Sequence, residues 1–219
     1  MRTAAWKYWM LAGFMALGAT LQHNPASAGT EKIVVAGGCF WCVESDFESV
    51  DGVKSAVSGY TGGNTKNPTY KDIGNGGTGH YEAVEIKFDN KKISAGEILD
   101  LFFRSVDPTD AGGQFCDRGD SYRTAIFYGN NAQKSAAERA KSKAASDLGQ
   151  KIVTPILPAG TFYKAEKYHQ DYYKGKKIVL TRFGPKKQSE AYKRYRKACG
   201  RDARVEALWG DAAPFVGNH

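Results

Sequence analysis

The sequence predicts an α+β fold in which helices pack on a mixed β-sheet. The expected core is β-α-β-β-α-β, of the ferredoxin-like sandwich type, followed by a C-terminal coil or helix. Stretches with the alternation of strands are interleaved in that order with stretches of helical periodicity. The composition is that of a globular protein, since 42% of the 219 residues are hydrophobic and 25% are charged. The sequence contains no repeat or low-complexity tract, so one domain is expected.

The first 28 residues are predicted to be a secretory signal peptide that does not belong to the domain. Arg2 and Lys7 precede an apolar, uncharged stretch over residues 9–21, and Ala-Ser-Ala at 26–28 has the small residues of a cleavage site. The alternative is an uncleaved membrane anchor. The apolar stretch is short for that, because a span needs about 20 residues. We therefore expect a periplasmic or secreted protein without a stable membrane span after cleavage.

The expected domain covers residues 29–219, with a core over about 31–180 and a tail over 181–219. Loss of Arg2 and Lys7 lowers the formal charge from +8 to +6, so the domain stays basic. An even number of cysteines in an exported chain permits disulfides, although a chain of this length can bury a core without them. The four cysteines are Cys39, Cys42, Cys116 and Cys199.

Five elements are predicted in the first half of the domain. The first strand is almost entirely apolar, as in a central strand buried on both faces. Four apolar residues from Phe40 to Val50 recur at helical spacing, and a shorter strand leads into the glycine-rich loop 60–64. The next strand alternates cleanly, and a capping box at Ser94 opens a helix that ends before Pro108. The predicted strands are Glu31–Ala36, Lys54–Gly59 and Tyr81–Phe88, and the helices are Cys39–Glu48 and Ile98–Val106.

The second half of the domain is predicted to contain two strands and three helices. One strand precedes a helix rich in Ala and Lys, which Asn131 caps and Gly149 ends. Pro155 interrupts the following strand and places it at the edge of the sheet. A short helix and a longer basic helix complete the chain. The predicted strands are Arg123–Tyr128 and Ile152–Leu157, and the helices are 132–148, Ala165–Tyr173 and Ser189–Leu208.

Residues 37–42 read Gly-Gly-Cys-Phe-Trp-Cys, between the first strand and the first helix. A thiol in the first turn of a helix lies near the positive end of the helix dipole, which favours a thiolate at Cys39. The preceding glycines allow a tight turn that leaves the sulfur accessible. The alternative is a small cysteine buried in an aromatic core. Cys39 is therefore a candidate nucleophile, or else a packing residue.

Glu82 begins the strand that follows Gly79-His80. Because side chains alternate along a strand, Glu82 shares the face of Val84, Ile86 and Phe88, which must point to the core. Burial at the mouth of an apolar face raises the pKa of a carboxyl group and keeps it protonated, as a general acid requires. The alternative is an exposed carboxylate at a frayed strand end.

Two further patterns do not predict sites. Residues 74–79 spell G-x-G-x-x-G, but no strand precedes them and no helix follows, so they form a loop and not a dinucleotide site. A zinc site could draw on Cys39, Cys42, His80 or His169, but a second C-x-x-C or a paired-histidine spacing is missing. The sequence thus predicts no metal site.

Two other classes of function compete with an enzyme. The basic and aromatic segment Lys164–Lys197 could follow a phosphate backbone, as in a nucleic-acid-binding module, but it also fits the solvated face of an exported protein. Export argues against nucleic acid as the partner. A disulfide-stapled binding domain would differ in thiol chemistry, because it predicts no free reactive thiol at Cys39.

An ordered set of motifs resembles the type A family of peptide methionine sulfoxide reductases. The resemblance covers about residues 33–173, and less firmly extends to Cys199. No single motif is specific, but their order and separations together are. The motifs are Gly38-Cys39-Phe40-Trp41, Gly59-Tyr60-Thr61-Gly62-Gly63, Asn67-Pro68-Thr69-Tyr70, Gly79-His80-x-Glu82, Asp107-Pro108 and Tyr122-Arg123.

The resemblance implies a thiol mechanism without metal or organic cofactor. The Cys39 thiolate would attack the sulfur of methionine S-sulfoxide, free or in proteins, and Glu82 would protonate the departing oxygen. Methionine would leave and Cys39 would remain as a sulfenic acid. Of the remaining family positions, Tyr70 and Tyr122 match tyrosines that hydrogen-bond the oxygen, Asp117 matches their polar partner, and Phe40 and Trp41 match the wall of the methyl pocket.

A second cysteine would condense with the sulfenic acid, and a thioredoxin-like donor would reduce the resulting disulfide. Cys199 matches the family's C-terminal resolving position, although the usual glycine-rich coil is replaced here by a helix-like stretch. Cys42 forms a C-x-x-C pair with Cys39, whose spacing suits a disulfide. Cys116 adjoins Asp117 and could substitute or act in a relay, so all three stay candidates.

Overall fold

The computed structural model describes residues 29–217. The predicted signal peptide lies outside these residues. Within them, no helix combines the length and the apolar character that crossing a membrane requires.

The first part of the domain holds the following elements in chain order. They are β1 (Thr30–Gly37), α1 (Phe40–Glu48), β2 (Val53–Thr61), α2 (Tyr70–Asn75), β3 (Tyr81–Asp89), α3 (Ala95–Phe103), β4 (Gly113–Gln114) and β5 (Asp117–Arg118). The second part holds β6 (Thr124–Tyr128), α4 (Asn131–Leu148), β7 (Ile156–Pro158), β8 (Tyr163–Lys164), β9 (Ile178–Thr181), β10 (Gly184–Lys187), α5 (Gln188–Cys199) and α6 (Arg201–Trp209).

The main sheet has the strand order β7-β6-β1-β3-β2-β8. Each neighbouring pair of strands in this sheet is antiparallel, except that β7 runs parallel to β6 at one edge. The pairs β4–β5 and β9–β10 form separate hairpins. The predicted α+β class, with its β-α-β-β-α-β core on a mixed sheet, is confirmed.

Both faces of the central strand β1 are buried, as its apolar sequence predicts. Ile33 and Val35 pack into the main core, which also receives apolar side chains from α1, α3 and α4. Val34 and Ala36 face a smaller cluster on the other side of the sheet, which Leu157 covers. The end of β1 is therefore held firmly on two sides, and the next residues lead directly into the site.

Several predicted elements were wrong in extent or type. The predicted helix Ala165–Tyr173 is a series of turns that ends in a short 3₁₀ helix at Tyr172–Lys174, because Asp171 adopts a left-handed conformation with φ of 56°. The predicted helix Ser189–Leu208 is broken into α5 and α6 by Gly200, whose φ of 72° no continuous helix allows.

Other boundaries shift by a few residues. The strand predicted at Ile152–Leu157 begins only after Pro155, but it does lie at the sheet edge. The cap of α4 is Asn130 instead of Asn131, since the Asn130 Oδ1 accepts the Gln133 N–H. The elements α2, β4, β5, β8, β9 and β10 were not predicted. The tail does not stand apart, because α6 contributes Val205 and Trp209 to the main core.

Candidate active site

The turn after β1 places Cys39 at the start of α1. Gly38 has a φ of 79°, and a Cβ atom there would lie 2.6 Å from the Cβ of Gln114. Gln114 is itself fixed, since its amide exchanges two 2.8 Å hydrogen bonds with the backbone of Asp107. Only glycine fits this position. Cys39 becomes the N-cap of α1 and not its first helical residue.

A cavity of about 390 Å³ opens beside this turn. It brings together every residue that the sequence singled out for the site. These are Cys39, Phe40, Trp41, Cys42, Tyr70, Glu82, Cys116, Asp117, Tyr122 and Cys199.

Glu82 lines the cavity and is only 2% exposed. Its Oε2 accepts a hydrogen bond from the Phe40 N–H at 3.1 Å, so the acid is tied to the turn that carries Cys39. Burial raises the pKa of Glu82 to about 8, against the opposing effect of that hydrogen bond, and the charge of Asp117 adds to the rise. The carboxyl group is therefore mostly protonated at neutral pH. A frayed, exposed strand end is excluded.

Tyr70 and Tyr122 line the same cavity beside Glu82. Tyr122 is in hydrogen-bond contact with Glu82 and with Tyr70. Burial raises the pKa of both tyrosines, so both are protonated donors. Tyr70 is held at the start of α2, where a capping box at Thr69 fixes the turn. Chain segments far apart in sequence thus point three protonated oxygen groups into one space.

A further part of the cavity lining is aromatic. Phe40 is almost fully buried, and the Trp41 ring stacks on Tyr172 with centroids 3.8 Å apart and an angle of 5°. His169 packs behind this wall, 5.0 Å from Phe40 and 4.2 Å from Tyr70 between ring centroids. Burial lowers the pKa of His169 to about 4, so it is neutral. Neither of its ring nitrogens has a hydrogen-bond partner within residues 29–217.

The thiols of Cys39 and Cys42 are hydrogen-bonded to each other. The pKa of Cys39 lies well above its usual range because of this bond, burial and the nearby Glu82 and Asp117. The bond instead lowers the pKa of Cys42 to about 7, against burial, with help from Arg201. The contact between the two thiols therefore makes Cys42 the more acidic partner. These neighbours oppose the effect of the helix dipole on Cys39, and the thiolate at Cys39 stays a prediction.

A disulfide joins Cys116, at the turn between β4 and β5, to Cys199 at the end of α5. Asp117 lies against the disulfide: its Oδ1 is 3.8 Å from the Cys116 sulfur, and its Oδ2 is 3.8 Å from the Cys199 sulfur. Burial raises the pKa of Asp117. Cys39 and Cys42 are free thiols. A disulfide-stapled binding domain predicts no free reactive thiol at Cys39, whereas this thiol is free and lines the cavity.

A family model described as peptide methionine sulfoxide reductase matches residues 31–211. The chain belongs to this family. It is similar to "Peptide methionine sulfoxide reductase MsrA 2" of Caulobacter vibrioides, with 48% identity over 202 residues, 91% of this chain and 95% of that protein. A Listeria monocytogenes MsrA is also 48% identical, over 82% of this chain and 96% of its own length.

Solved structures of this reductase family agree with the fold. Reduced Mxr1 from Saccharomyces cerevisiae superposes with a TM-score of 0.64 at 31% identity, over 68% of this chain and 87% of that one. Methionine sulfoxide reductase A of Corynebacterium diphtheriae gives a TM-score of 0.62 at 34% identity, over 67% and 74% of the two chains. The chain is an oxidoreductase of this family.

Sequence reasoning missed several residues that shape the reductase site. Glu166 accepts hydrogen bonds from the Tyr70 N–H at 2.8 Å and the Tyr60 hydroxyl at 2.9 Å, and so anchors the start of α2. Tyr172 backs Trp41, and two buried arginines, Arg196 and Arg201, also line the cavity. All come from the last third of the chain, and no local pattern connects them with Cys39.

In the part of the chain that the structure describes, none of the residues considered above for a zinc site belongs to a cluster of ligand-type side chains; these residues are Cys39, Cys42, His80 and His169. Within residues 29–217, two groups of three ligand-type side chains come together. One is Asp117 with the disulfide, whose sulfurs are already bonded. In the other, Glu44, Glu48 and Asp171, the Lys174 Nζ already pairs with two of the carboxylates. Neither group offers a cation site that contains Cys39, Cys42 or a histidine.

Proposed function

We propose that the chain reduces methionine S-sulfoxide, in proteins and as the free amino acid, to methionine through a Cys39 sulfenic acid. One observation carries the proposal. The Cys39 thiol and the protonated Glu82 carboxyl face the same cavity, and the Phe40 N–H bonded to Glu82 fixes their relative position. A nucleophilic sulfur beside a buried acid is the pair that sulfoxide reduction needs.

The substrate is oriented by the two walls of the cavity. Its methyl group packs against Phe40 and Trp41, because these rings supply the apolar surface. Its oxygen points to the other end, where Tyr70, Tyr122 and Glu82 offer hydrogen-bond donors. Such an arrangement distinguishes the two epimers at sulfur, since exchanging oxygen and lone pair would direct the oxygen away from the donors. We assign the S epimer from the family resemblance.

The chemical step transfers the oxygen from substrate to enzyme. Cys39 passes its proton to the hydrogen-bonded Cys42 thiolate as its sulfur attacks the sulfoxide sulfur. Glu82 protonates the oxygen, and Tyr122 supports it. The oxygen then ends on Cys39 as a sulfenic acid, and methionine leaves, so that one thiol and one sulfoxide give one sulfenic acid and one thioether.

Regeneration requires an external dithiol. Reduction of the Cys116–Cys199 disulfide by a thioredoxin-like protein returns two electrons to the enzyme. Cys116 is exposed at the rim of the cavity, so its sulfur is within reach of such a partner. The protonated form of Asp117, 3.8 Å from both sulfurs, can supply a proton to the leaving thiolate.

We place the reaction outside the cytoplasm, where it repairs oxidised methionine in exported proteins. The support is the charged start, apolar stretch and small-residue cleavage pattern of residues 1–28. The reductant is then an extracytoplasmic thioredoxin-like domain. Cell fractionation with N-terminal sequencing tests this location: a mature protein beginning at Gly29 in the exported fraction supports it, and full-length protein in the cytoplasm contradicts it.

Single-turnover chemistry tests the activity. The purified protein is reduced, freed of reductant and mixed with a peptide that carries either the S or the R epimer of methionine sulfoxide. We expect methionine from the S epimer alone and none from Cys39→Ser. Absence of methionine from both epimers, with unmodified Cys39, would contradict the proposal.

A further inference from the structure

We infer that Cys42 resolves the Cys39 sulfenic acid, and that the Cys116–Cys199 couple acts afterwards to reduce the Cys39–Cys42 disulfide. The inference rests on the proposed function, because it requires a sulfenic acid on Cys39. It divides the four sulfurs into an inner couple on α1 and an outer couple at the rim of the cavity.

The inner couple has the geometry of a disulfide that has yet to form. The Cys42 N–H bonds to the Cys39 carbonyl at 3.1 Å, which closes one helical turn between the two residues. Residues three apart in such a turn have Cα atoms about 5 Å apart. This separation lies inside the range of about 4.4–6.8 Å seen for disulfides. The thiols already meet through their hydrogen bond.

The two cysteines of the outer couple are already bonded to each other. Cys116 and Cys199 are disulfide-bonded, and the Cys116 N–H additionally contacts the Cys199 sulfur at 3.1 Å. In this oxidation state neither sulfur can resolve a sulfenic acid. Of the four cysteines in the chain, only Cys42 then offers Cys39 a thiol partner. As long as the outer couple is oxidised, a disulfide within the chain can form at Cys39 only with Cys42.

The surroundings of Cys42 prepare it as a nucleophile. Arg196 and Arg201 line the cavity although their side chains are only 4% and 2% exposed. Arg196 is held by Asp46 at 2.9 Å, and Arg201 donates to the Gly37 carbonyl at 3.0 Å. The hydrogen bond from Cys39 and these two charges together favour the thiolate of Cys42. Buried guanidinium groups are costly, so their position beside a thiol indicates a function.

The chemistry balances in two steps. In the first, the Cys42 sulfur attacks the sulfenic sulfur of Cys39, the S–S bond forms, the S–O bond breaks, and hydroxide leaves with the Cys42 proton as water. In the second, a thiolate of the outer couple attacks Cys39 and expels Cys42, whose low pKa makes it the better leaving group. The other outer cysteine then completes the Cys116–Cys199 disulfide and frees Cys39.

Accessibility explains why two couples are needed. Cys42 is 6% exposed and packs against Tyr172, Ala191 and Tyr192, so a protein reductant cannot reach it. Cys116 is exposed, and its disulfide lines the same cavity as Cys39. Electrons therefore enter at the rim and move inward, while the inner thiols stay enclosed with the substrate.

The Cys116→Ser/Cys199→Ser double variant isolates the inner couple. The reduced full-length variant, freed of reductant, is mixed with the methionine-S-sulfoxide peptide and dimedone, which traps sulfenic acids. We expect about one methionine per protein, a Cys39–Cys42 disulfide in the peptide map and no dimedone on Cys39. One methionine with dimedone on Cys39 and a free Cys42 thiol would overturn the inference and leave the proposed function intact.

The matched variant carries Cys42→Ser in addition to Cys116→Ser and Cys199→Ser. We expect about one methionine per protein, as in the double variant, and at least tenfold more dimedone on Cys39. The methionine itself shows that the variant is folded. The unaltered protein is expected to give two methionines, both disulfides and no free thiol. Equal dimedone labelling of the double and triple variants would contradict the role of Cys42.

Discussion

Two buried carboxyl groups, Glu82 and Glu44, lie in different regions of the domain. Burial raises the pKa of Glu82 to about 8 and that of Glu44 to about 7. Glu44, on α1, is fully occupied: its Oε1 accepts the Asp171 N–H at 2.7 Å, and the Ser58 hydroxyl donates to its Oε2. Glu82 has one backbone donor and otherwise faces the cavity.

The comparison shows that a raised pKa alone does not identify a catalytic acid. Glu44 does not line the cavity and joins α1 to the segment before the 3₁₀ helix at Tyr172–Lys174, so its hydrogen bonds serve the fold. Glu82 has a similar pKa but can reach a substrate. The decisive property is a proton held beside open space, and substitutions at the two sites should separate activity from stability.

The largest expected effect is on turnover by Glu82→Gln. The amide keeps the shape of the side chain but cannot donate a proton to the leaving oxygen, so kcat/KM should fall about 10²–10⁴-fold. Glu44→Gln is the matched control and should stay within about twofold of the unaltered protein. Steady-state kinetics with a dithiol reductant measures both. Equal losses of kcat/KM in the two variants would show that the burial of a carboxyl group, and not its position at the cavity, determines its effect on turnover.

The pH dependence of activity should follow Glu82 and not Glu44. Because the acid must be protonated, the first-turnover rate should fall above pH about 8, where Glu82 loses its proton, approaching tenfold per pH unit. Glu44→Gln should keep this alkaline limb, and the residual activity of Glu82→Gln should lack it. Rapid-quench measurements from pH 6 to 10 provide the profile. A limb that disappears in Glu44→Gln would reverse the assignment.

Substitution of Glu44 should lower the stability of the fold instead of the activity. Glu44→Ala leaves the Asp171 N–H and the Ser58 hydroxyl without their acceptor, which costs about 1–3 kcal/mol of unfolding free energy. Activity should change little at a temperature where the variant is folded. Urea denaturation measures the loss, and an unchanged midpoint would show that water replaces the carboxylate.

The contribution of Glu44 to the stability of the fold should also depend on pH, and its direction can be worked out. The folded pKa of Glu44 is about 7, above the value of about 4.3 expected in the unfolded chain. Between these values the folded state holds a proton that the unfolded state has lost, so this contribution to stability falls as pH rises from about 4.3 to 7. Glu44→Gln should therefore flatten the pH dependence of the urea midpoint in that window.

The long elements of the fold could be predicted because their periodicity is local. β1, β3, α3 and α4 each carry enough apolar positions to reveal their type. The strands of two to four residues, such as β8 and β9, carry too few. The break at Gly200 was missed because the basic periodicity of Ser189–Leu208 continues across it, although a glycine after a helix often adopts the left-handed conformation seen here.

The site was predictable where motifs are compact, and not where contacts span the chain. Alternation alone put Glu82 on the core-facing side of its strand, but it left open whether the strand end is buried, which the structure settles at 2% exposure. The Cys116–Cys199 pairing joins residues 83 apart, and the charges that act on the thiol pKa values, beside burial and the contact between Cys39 and Cys42, include those of distant Arg201 and Asp117. A helix-dipole argument uses only the local backbone, so it could not include these distant groups.

The smallest expected effects come from substituting two neighbours of Glu82. They should shift the pH above which activity falls, in opposite directions. The hydrogen bond from Tyr122 lowers the pKa of Glu82, and the charge of Asp117 raises it. Tyr122→Phe should therefore move the alkaline limb of activity to higher pH, and Asp117→Asn should move it to lower pH. Tyr122→Phe should also reduce the rate about tenfold, since one neutral hydrogen bond to the oxygen is worth about 1 kcal/mol or slightly more.

Tyr60→Phe is the control for that last effect. Tyr60 is buried and donates to Glu166 at 2.9 Å, but it does not line the cavity, so its loss should affect stability and leave the alkaline limb in place. Shifts of the limb in the same direction for Tyr122→Phe and Asp117→Asn would mean that a group other than Glu82 carries the proton. Opposite shifts, with none for Tyr60→Phe, tie the limb to the one carboxyl group that both residues contact electrostatically.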